Sequence, residues 1–131
     1  MTSLTPSAPL VLIVDDNDRN RRLAGDVLRA AGLRTLEAGS GAEAITIAAA
    51  HSPDVVLLDL ELPDMHGTDV ARELRNGAQT ARIPIVALSA RRKPDEEDGL
   101  SAAGFDGYLE KPIDVSEFPA QVRAYCRVAP A

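Results

Sequence analysis

A continuous apolar run that stops at a carboxylate constrains the fold of this chain more than any other feature. Residues 55–58 read Val-Val-Leu-Leu, and Asp59 follows them directly, before a loop that contains Pro63 and Gly67. Such a run predicts a strand buried on both faces, which is typical of parallel sheets covered by helices. Asp59 is then expected at the carboxyl edge of the sheet, where open α/β sheets bind ligands. Taken alone, Asp59 fits a nucleophile or metal ligand as well as it fits a residue that caps a turn.

The rest of the chain repeats this alternation of strand and helix. A second apolar run ends at the acidic pair Asp15-Asp16, and helical apolar spacing follows it up to Gly32. We predict strands at 10–14, 33–38, 55–59, 83–88 and 106–110, and helices at 18–31, 41–51, 68–76, 95–103 and 115–126. Five such repeats predict a three-layer α/β fold with a parallel five-stranded sheet and right-handed crossovers. They occupy one domain at 9–127, between flexible tails at 1–8 and 128–131.

Polar residues predict where the helices begin. Ser40 and Glu43 have the spacing of a capping box, Thr68 is placed to cap the third helix, and Asp114 and Glu117 repeat the capping-box spacing. The first and last helices each carry an apolar stripe. The stripes consist of Leu23, Val27, Leu28 and Ala31 in the first helix, and of Val115, Phe118, Val122 and Cys126 in the last.

Composition narrows the classes of function. The chain has 131 residues with a net charge of -6, which argues against direct binding to nucleic acid or to anionic membranes, because both need a basic surface. The single cysteine, Cys126, excludes an internal disulfide and indicates a reducing compartment. Residues 1–8 lack the pattern of a signal peptide, and we expect a cytoplasmic protein. Because the sequence ends soon after the last helix, we expect its output to pass through a partner protein.

Polar groups follow four of the five predicted strands at the carboxyl edge of the sheet. They are Asp15 and Asp16, Asp59, Ser89 and Lys111. Crowded carboxylates repel one another unless a cation neutralises them, and ligation by oxygen alone favours Mg²⁺. Phosphoryl transfer needs a nucleophile, positive charge and a hydrogen-bond donor to the phosphoryl oxygens, which Asp59, Mg²⁺ with Lys111, and Ser89 would supply. Each residue alone fits a turn or a cap, but their joint position favours the chemical interpretation.

These motifs resemble the receiver domains of response regulators in two-component signalling, in particular the single-domain regulators of chemotaxis type. The resemblance extends from about residue 9 to residue 127. The residues that carry it are Val14-Asp15-Asp16-Asn17, Leu58-Asp59-Leu60-Glu61-Leu62-Pro63-Asp64-Met65-His66-Gly67, Ala87-Leu88-Ser89-Ala90 and Gly104-Phe105-Asp106-Gly107-Tyr108-Leu109-Glu110-Lys111-Pro112. It implies a flavodoxin-like fold with five parallel strands in the order 2-1-3-4-5.

The resemblance also assigns chemical roles. Asp59 would accept a phosphoryl group from a phosphohistidine, supplied by a sensor histidine kinase or a histidine phosphotransfer protein. Asp16 would bind Mg²⁺ directly, Asp15 mainly through water, and the backbone carbonyl of Glu61 would complete the metal site together with Asp59. Lys111 would bind the phosphoryl group. Beyond its own phosphorylation and dephosphorylation, such a protein is not an enzyme.

The same resemblance implies a conformational switch. Ser89 stands where the family more often has threonine, and Ser89 and Tyr108 would form the switch pair. Phosphorylation would reshape the face made by the fourth predicted helix, the fifth strand and the last helix, and this face would control a downstream effector protein. A dimer that forms on phosphorylation is a further option. The peptide bond between Lys111 and Pro112 is expected to be cis.

Two other classes of protein compete with this interpretation. A phosphatase of the haloacid-dehalogenase type shares the Asp nucleophile, but it needs a second Asp two residues further on, where this chain has Glu61, and its acidic motif follows the nucleophile. A binding module that needs no phosphate is disfavoured by the complete acidic set. Neither His51, near a helix end, nor His66, in the loop after Asp59, is placed as a phosphorelay histidine, so we expect the phosphoryl donor to be another molecule.

Charged residues near the site give two further expectations. Arg19 and Arg22 lie in the first helix beside the acidic pair, where a kinase would dock, although charged helical faces are usually just solvated. Glu61 and Arg91 lie two residues after Asp59 and Ser89, and their opposite charges would let them flank the path of the water that hydrolyses the acyl phosphate.

Overall fold

The computed structural model describes residues 8–89 and 102–126. Their helices and strands, in chain order, are β1 (Leu10–Val14), α1 (Asp18–Ala30), β2 (Arg34–Ala38), α2 (Gly41–His51), β3 (Val55–Asp59), α3 (Gly67–Asn76), β4 (Ile85–Ser89), β5 (Gly107–Glu110) and α4 (Phe118–Tyr125). The strands form one parallel sheet in the order β2-β1-β3-β4-β5, which confirms the predicted fold. Three predicted segments fall wholly or mostly outside the described residues: residues 1–7 of the tail predicted at 1–8, residues 95–101 of the helix predicted at 95–103, and the tail predicted at 128–131.

Strands β1 and β3, inside the sheet, are buried on both faces because helices cover each side of the sheet. Alternate residues of β1 and β3 pack into two separate cores. The core beneath α2 and α3 receives Leu12, Val14, Val56 and Leu58, and the core beneath α1 and α4 receives Val11, Ile13, Val55 and Leu57. All eight side chains are fully buried, and burial of each contributes roughly 1.5–3 kcal/mol to stability.

The helix starts agree with the predicted caps at α2 but not at α3. The Ser40 hydroxyl accepts a hydrogen bond from the Glu43 amide at 3.2 Å, and the Glu43 carboxylate accepts one from the Gly39 amide at 2.6 Å. The predicted cap of α3 by Thr68 was wrong. The helix begins one residue earlier, at Gly67, and Nδ1 of His66 caps it by accepting a hydrogen bond from the Thr68 amide at 3.2 Å. Sequence preferences favour hydroxyl and carboxamide caps, so an imidazole cap was missed.

Two apolar residues predicted in the helical stripes are exposed. Leu23 is 46% exposed on α1, and Val115 is 55% exposed before α4. Val115 lies outside the helix because Asp114 forms a turn there, accepting hydrogen bonds from the amides of Ser116 at 3.0 Å and Glu117 at 3.3 Å. The last helix therefore starts later than its apolar spacing predicts. In residues 8–89 and 102–126, no helix is long and apolar enough to cross a membrane.

One arginine joins three segments at the amino-terminal edge of the sheet. Arg75, in the last turn of α3, donates hydrogen bonds to the carbonyls of Ala81 at 2.9 Å and Ile83 at 2.7 Å, in the segment that enters β4. It also donates to the Gly104 carbonyl at 3.0 and 2.7 Å and to Oδ2 of Asp106 at 2.7 Å, in the segment that enters β5. Arg75 therefore ties the end of α3 to the segments that enter both β4 and β5.

Candidate functional site

The parallel register brings the polar ends of four strands to the same edge of the sheet. Val14, the last residue of β1, pairs with Leu58, so Asp15 and Asp59 follow neighbouring positions. Asp59 pairs with Leu88 of β4, and Ser89 pairs with the last residue of β5. The sequence expectation that these strand ends converge therefore holds in the structure.

Three carboxylates form a cluster at this edge. Each of Asp15, Asp16 and Asp59 offers one oxygen, and these oxygens lie within 4.8 Å of one another. Asp15 and Asp59 are buried, whereas Asp16 is exposed. Two like charges about 4 Å apart repel by about 4 kcal/mol at an effective dielectric constant of about 20, so the cluster needs positive charge nearby.

Lys111 supplies one positive charge to the cluster. Its Nζ lies 2.9 Å from Oδ2 of Asp15 and 3.3 Å from Oδ2 of Asp59. Burial acts to lower the pKa of Lys111, but the hydrogen bond to Asp15 and the charge of Asp59 outweigh it and raise that pKa. The Lys111 amide donates to the Ser89 carbonyl at 2.8 Å, and the peptide bond to Pro112 is cis. Lys111 is thus charged and held between the ends of β1, β3 and β4.

The surroundings of the Asp59 carboxyl group disfavour its charged form and raise its pKa. Burial is the largest cause that raises its pKa, and the charge of Asp15 adds to the effect. A hydrogen bond from the Glu61 amide to Oδ1 at 3.1 Å and the charge of Lys111 oppose it only in part. One oxygen of Asp59 is therefore fixed by the backbone and the other faces Lys111, in a setting that favours neutralisation of the carboxylate.

The turn after β1 leaves Asp16 out of the helix cap. Asn17 is the N-cap of α1, and its side chain accepts a hydrogen bond from the Asn20 amide at 3.0 Å. Asp15 accepts a hydrogen bond from the Asn17 amide at 2.9 Å through Oδ1. Because Asn17 does the capping, the pair Asp15-Asp16 does not have to be explained as a cap, which was the alternative that the sequence left open.

Asp64 fastens the loop after β3 to helix α2. Its Oδ1 accepts a hydrogen bond from the Gly41 amide at 2.8 Å, and its Oδ2 accepts one from the Ala42 amide at 3.0 Å. These two bonds, the first above all, hold the pKa of Asp64 below its usual range. Sequence reasoning missed this contact. A carboxylate suits the positive end of a helix, but no pattern shows which helix a distant acid will cap.

Gly67 allows α3 to start directly against the end of β3. A Cβ atom at this position would lie 2.7 Å from Cα of Leu60 and 2.9 Å from the carbonyl oxygen of Asp59. The Gly67 amide also donates to the Leu60 carbonyl at 2.8 Å. The loop that carries Glu61 is thus closed onto the backbone of the strand end, which only a residue without a side chain permits.

The two residues expected to form a switch lie on adjacent strands. Ser89 is half-buried at the end of β4. Tyr108 of β5 packs against the core beneath α2 and α3, and its hydroxyl oxygen is buried. The tyrosine side chain is therefore directed inward in this structure. Glu61 is exposed, and Arg91, expected to face it, lies outside the described residues.

An apolar groove opens beside the carboxylate cluster. It lies between α1 and the segment that follows β5, and its volume is about 330 Å³. The apolar side chains of Leu23, Pro112 and Ile113 line it, together with the charged residues Asp15 and Lys111. The exposed leucine of α1 is thus part of a concave surface that reaches the functional edge.

A further arginine, on α1, contacts the backbone of the acidic turn. Arg21 donates to the Asp15 carbonyl at 2.7 Å, to Glu37 at 3.0 Å and to Asp18 at 2.7 Å. The sequence interpretation assigned it no role. The position of Arg21 in the first turns of the helix could have predicted this contact. Helical side chains lean toward the helix N-terminus and can reach residues before the cap.

Comparison with known proteins places these features in a family context. The sequence model of a family described as "Response regulator receiver domain" matches residues 11–123. The polar-differentiation response regulator DivK of Brucella ovis is 34% identical over 115 residues, which cover 88% of this chain and 94% of that protein. DivK of Brucella anthropi is 33% identical over the same length.

Solved structures agree with the sequence comparison. The chemotaxis protein CheY4 of Vibrio cholerae superposes with a TM-score of 0.86 at 27% identity, covering 90% of this chain and 98% of that chain. The receiver domain of a sensor histidine kinase from Pseudomonas aeruginosa superposes with a TM-score of 0.82 at 29% identity, covering 90% of this chain and 97% of that chain. That structure contains a magnesium ion coordinated in its active site cleft.

Proposed function

The chain belongs to the response regulator receiver domains of two-component signalling, and from this membership we propose that it is a phosphoacceptor switch whose acceptor is Asp59. One observation carries the proposal. Asp59 ends β3 inside a cluster of three carboxylates, and Nζ of Lys111 lies 3.3 Å from its Oδ2. A nucleophilic oxygen and a fixed cation therefore stand at one point on the sheet edge.

The proposed reaction transfers a phosphoryl group from a phosphohistidine of another protein. A carboxylate oxygen of Asp59 forms a bond to phosphorus while the bond between phosphorus and the donor nitrogen breaks. The product is an acyl phosphate on Asp59, and the donor imidazole takes up a proton from solvent. Lys111 neutralises charge on the phosphoryl oxygens, and because Asp15 also holds its Nζ, it keeps its position when Asp59 is consumed.

The acidic cluster fits Mg²⁺ as the cofactor. Asp15, Asp16 and Asp59 would hold the ion with the backbone carbonyl of Glu61, since oxygen ligands suit a hard cation and their mutual repulsion calls for one. When bound, the ion would neutralise the negative charge of the phosphoryl group at Asp59. The magnesium ion in the related Pseudomonas aeruginosa receiver domain supports this assignment.

Phosphorylation by acetyl phosphate tests the proposal. With Mg²⁺, intact-mass measurement is expected to show one phosphoryl group per chain, and chelation of Mg²⁺ is expected to prevent the reaction. The alternative of a haloacid-dehalogenase phosphatase requires continuous turnover of p-nitrophenyl phosphate. Sustained release of nitrophenol without a stable acyl phosphate would refute the phosphoacceptor switch and support a phosphatase of that type.

We expect the phosphoryl group to act through Ser89. The Ser89 hydroxyl would donate a hydrogen bond to the acyl phosphate, which favours only the conformation in which Ser89 reaches it. Because Ser89 and Tyr108 lie on the paired strands β4 and β5, drawing Ser89 toward the phosphoryl group would favour the inward position of Tyr108. Ser89→Ala is expected to accept phosphate but to keep the NMR spectrum of the unphosphorylated protein around Tyr108. Equal spectral changes in variant and wild type would contradict the switch.

The groove beside α1 is the proposed approach of the phosphoryl donor. Leu23, Pro112 and Ile113 offer an apolar surface next to Lys111, and Arg19 and Arg22 are exposed on the same helix. Arg19→Glu combined with Arg22→Glu is expected to slow transfer from a cognate histidine kinase about tenfold, since a change of about 1.4 kcal/mol in the barrier alters a rate by that factor. Phosphorylation by acetyl phosphate serves as the control and should be unchanged. If both donors slow equally, α1 is not a docking surface.

A further inference from the structure

We propose that Arg21 is a positioning residue that sets the Mg²⁺ affinity of the acidic cluster by fixing the peptide group between Asp15 and Asp16. The inference rests on the proposed function, because it takes that cluster as the metal site. Nη1 of Arg21 lies 2.7 Å from the Asp15 carbonyl oxygen. This is a direct hydrogen bond from the helix to the backbone of the metal-binding turn.

Peptide geometry makes this bond effective. The carbonyl of Asp15 and the amide nitrogen of Asp16 belong to one planar unit, so holding the oxygen also orients the bond that leads to Cα of Asp16. The other side of Asp15 is fixed as well, because its amide donates to the Ala38 carbonyl at 3.1 Å. Asp16 itself is exposed, and its direction depends on the peptide that precedes it. Without Arg21, that peptide loses its contact with α1.

The guanidinium group is suited to this task because it is held in three directions. Nε lies 3.0 Å from Glu37 in β2, and Nη2 lies 2.7 Å from Asp18 at the start of α1, which leaves Nη1 for the Asp15 carbonyl. The side chain of Arg21 is only 19% exposed. A lysine carries its charge on one nitrogen and lacks the rigid planar fork, so it cannot reproduce three separated bonds.

A purely electrostatic role for Arg21 predicts the opposite change in Mg²⁺ affinity when the arginine is removed. A positive charge beside a cation site weakens Mg²⁺ binding, so its removal would tighten binding. If Arg21 positions the peptide group, Mg²⁺ binding becomes weaker when the side chain is removed. It also becomes weaker when lysine replaces Arg21, although lysine keeps the charge. The direction of the change in Mg²⁺ affinity therefore separates the two explanations.

Titration of the unphosphorylated protein with Mg²⁺, followed by calorimetry and by backbone amide shifts, tests the proposal. Arg21→Met and Arg21→Lys are each expected to raise the Mg²⁺ dissociation constant about tenfold, the lower end of the range seen when partners of metal ligands are removed. Arg29→Met is the matched control. Arg29 also lies on α1 and near Glu37, at 3.9 Å, but it pairs with Asp26 instead of the acidic turn. Its dissociation constant should stay within about twofold of wild type, well below the effect expected at position 21.

A kinetic readout distinguishes positioning from general damage. If Arg21 acts through the metal site, the rate of phosphorylation by acetyl phosphate returns close to wild type at saturating Mg²⁺, and only the Mg²⁺ concentration that gives half the maximal rate increases. Unchanged or tighter Mg²⁺ binding in both Arg21 variants would overturn the proposal, and so would a reduced rate at saturating Mg²⁺ with normal affinity.

Two controls keep the outcome interpretable. Failure of the wild-type protein to bind Mg²⁺ would refute the metal site itself and not only the role of Arg21. If the Arg21 variants do not fold, Glu37→Gln takes their place, because it loosens the anchor of the guanidinium and leaves Arg21 present. The loss of Mg²⁺ affinity is then expected to lie between the about twofold allowed for the Arg29 control and the about tenfold expected for the Arg21 variants, and a change within about twofold would overturn the proposal.

Discussion

Asp59→Asn is expected to abolish phosphorylation of this chain and, at neutral pH without Mg²⁺, to make the folded protein more stable. The loss follows because a carboxamide has no anionic oxygen with which to attack phosphorus. The gain in stability follows from burial and from the nearby charge of Asp15, which together raise the pKa of Asp59. A raised pKa means that the fold disfavours the charged carboxylate, and asparagine removes that charge.

The pH dependence of this gain has a definite sign. Because the pKa of Asp59 is higher in the folded than in the unfolded state, its protonated form favours folding below the unfolded pKa, and this contribution is lost as the pH rises through the folded pKa. The free energy of unfolding of Asp59→Asn should therefore exceed that of wild type at pH 7, and the excess should shrink on acidification toward pH 3, roughly one unit below the usual pKa of an aspartate. Urea denaturation across this pH range measures it.

A matched variant and the metal complete the test. Asp69→Asn removes an exposed carboxylate from α3 and should show no such difference. Adding Mg²⁺ at about 100 times its dissociation constant should stabilise the wild type by about 2.7 kcal/mol and reverse the order of the two proteins. Label retained by Asp59→Asn after treatment with acetyl phosphate would refute Asp59 as acceptor. A less stable variant at pH 7 would refute the electrostatic account alone.

Arg75→Leu is expected to lower the free energy of unfolding by about 3 kcal/mol. Leucine keeps part of the apolar stem but leaves the carbonyls of Ala81, Ile83 and Gly104 and the carboxylate of Asp106 without the donor they share. A hydrogen bond to a charged donor contributes about 1.5–3 kcal/mol, and partial exposure of Arg75 lets water replace some of the five bonds. Urea denaturation at pH 7 gives the value.

The control for Arg75 lies one turn earlier on the same helix. Arg72 is exposed and makes a surface ion pair with Asp69 at 3.4 Å. Arg72→Leu should change the free energy of unfolding by no more than about 0.5 kcal/mol. Equal effects of the two substitutions would show that the bonds of Arg75 do not join the segments cooperatively.

Sequence reasoning succeeded where the signal is local. The apolar runs that end at Asp15 and Asp59 gave the central strands, and the rule that parallel strands share one carboxyl edge brought Lys111 to the same site. Arg75 and Arg21 could not be predicted in the same way. Four of the five bonds of Arg75, and the bond that ties Arg21 to the acidic turn, go to backbone carbonyls. Every residue carries such a carbonyl, so the sequence does not identify these partners.

The misplaced helix starts have a similar cause. His66 caps α3 through an imidazole nitrogen, which cap preferences rank low, and Val115 falls outside α4 because the turn made by Asp114 occupies the residues that apolar spacing assigns to the helix. In both places a specific hydrogen bond overrides the periodic pattern. Asp64 is the corresponding omission at the site, since its contact with α2 spans 23 residues of sequence.

The bonds of Arg75 lie at the amino-terminal edge of the sheet. Substitutions at the carboxyl edge are therefore expected to leave the stability contributed by Arg75 nearly unchanged. A five-residue strand spans about 16 Å, and substitutions so far apart have nearly additive effects. On the docking surface proposed for α1, changes to Leu23 or Arg22 would therefore alter the choice of phosphoryl donor, while the bonds of Arg75 at the opposite edge keep the fold intact.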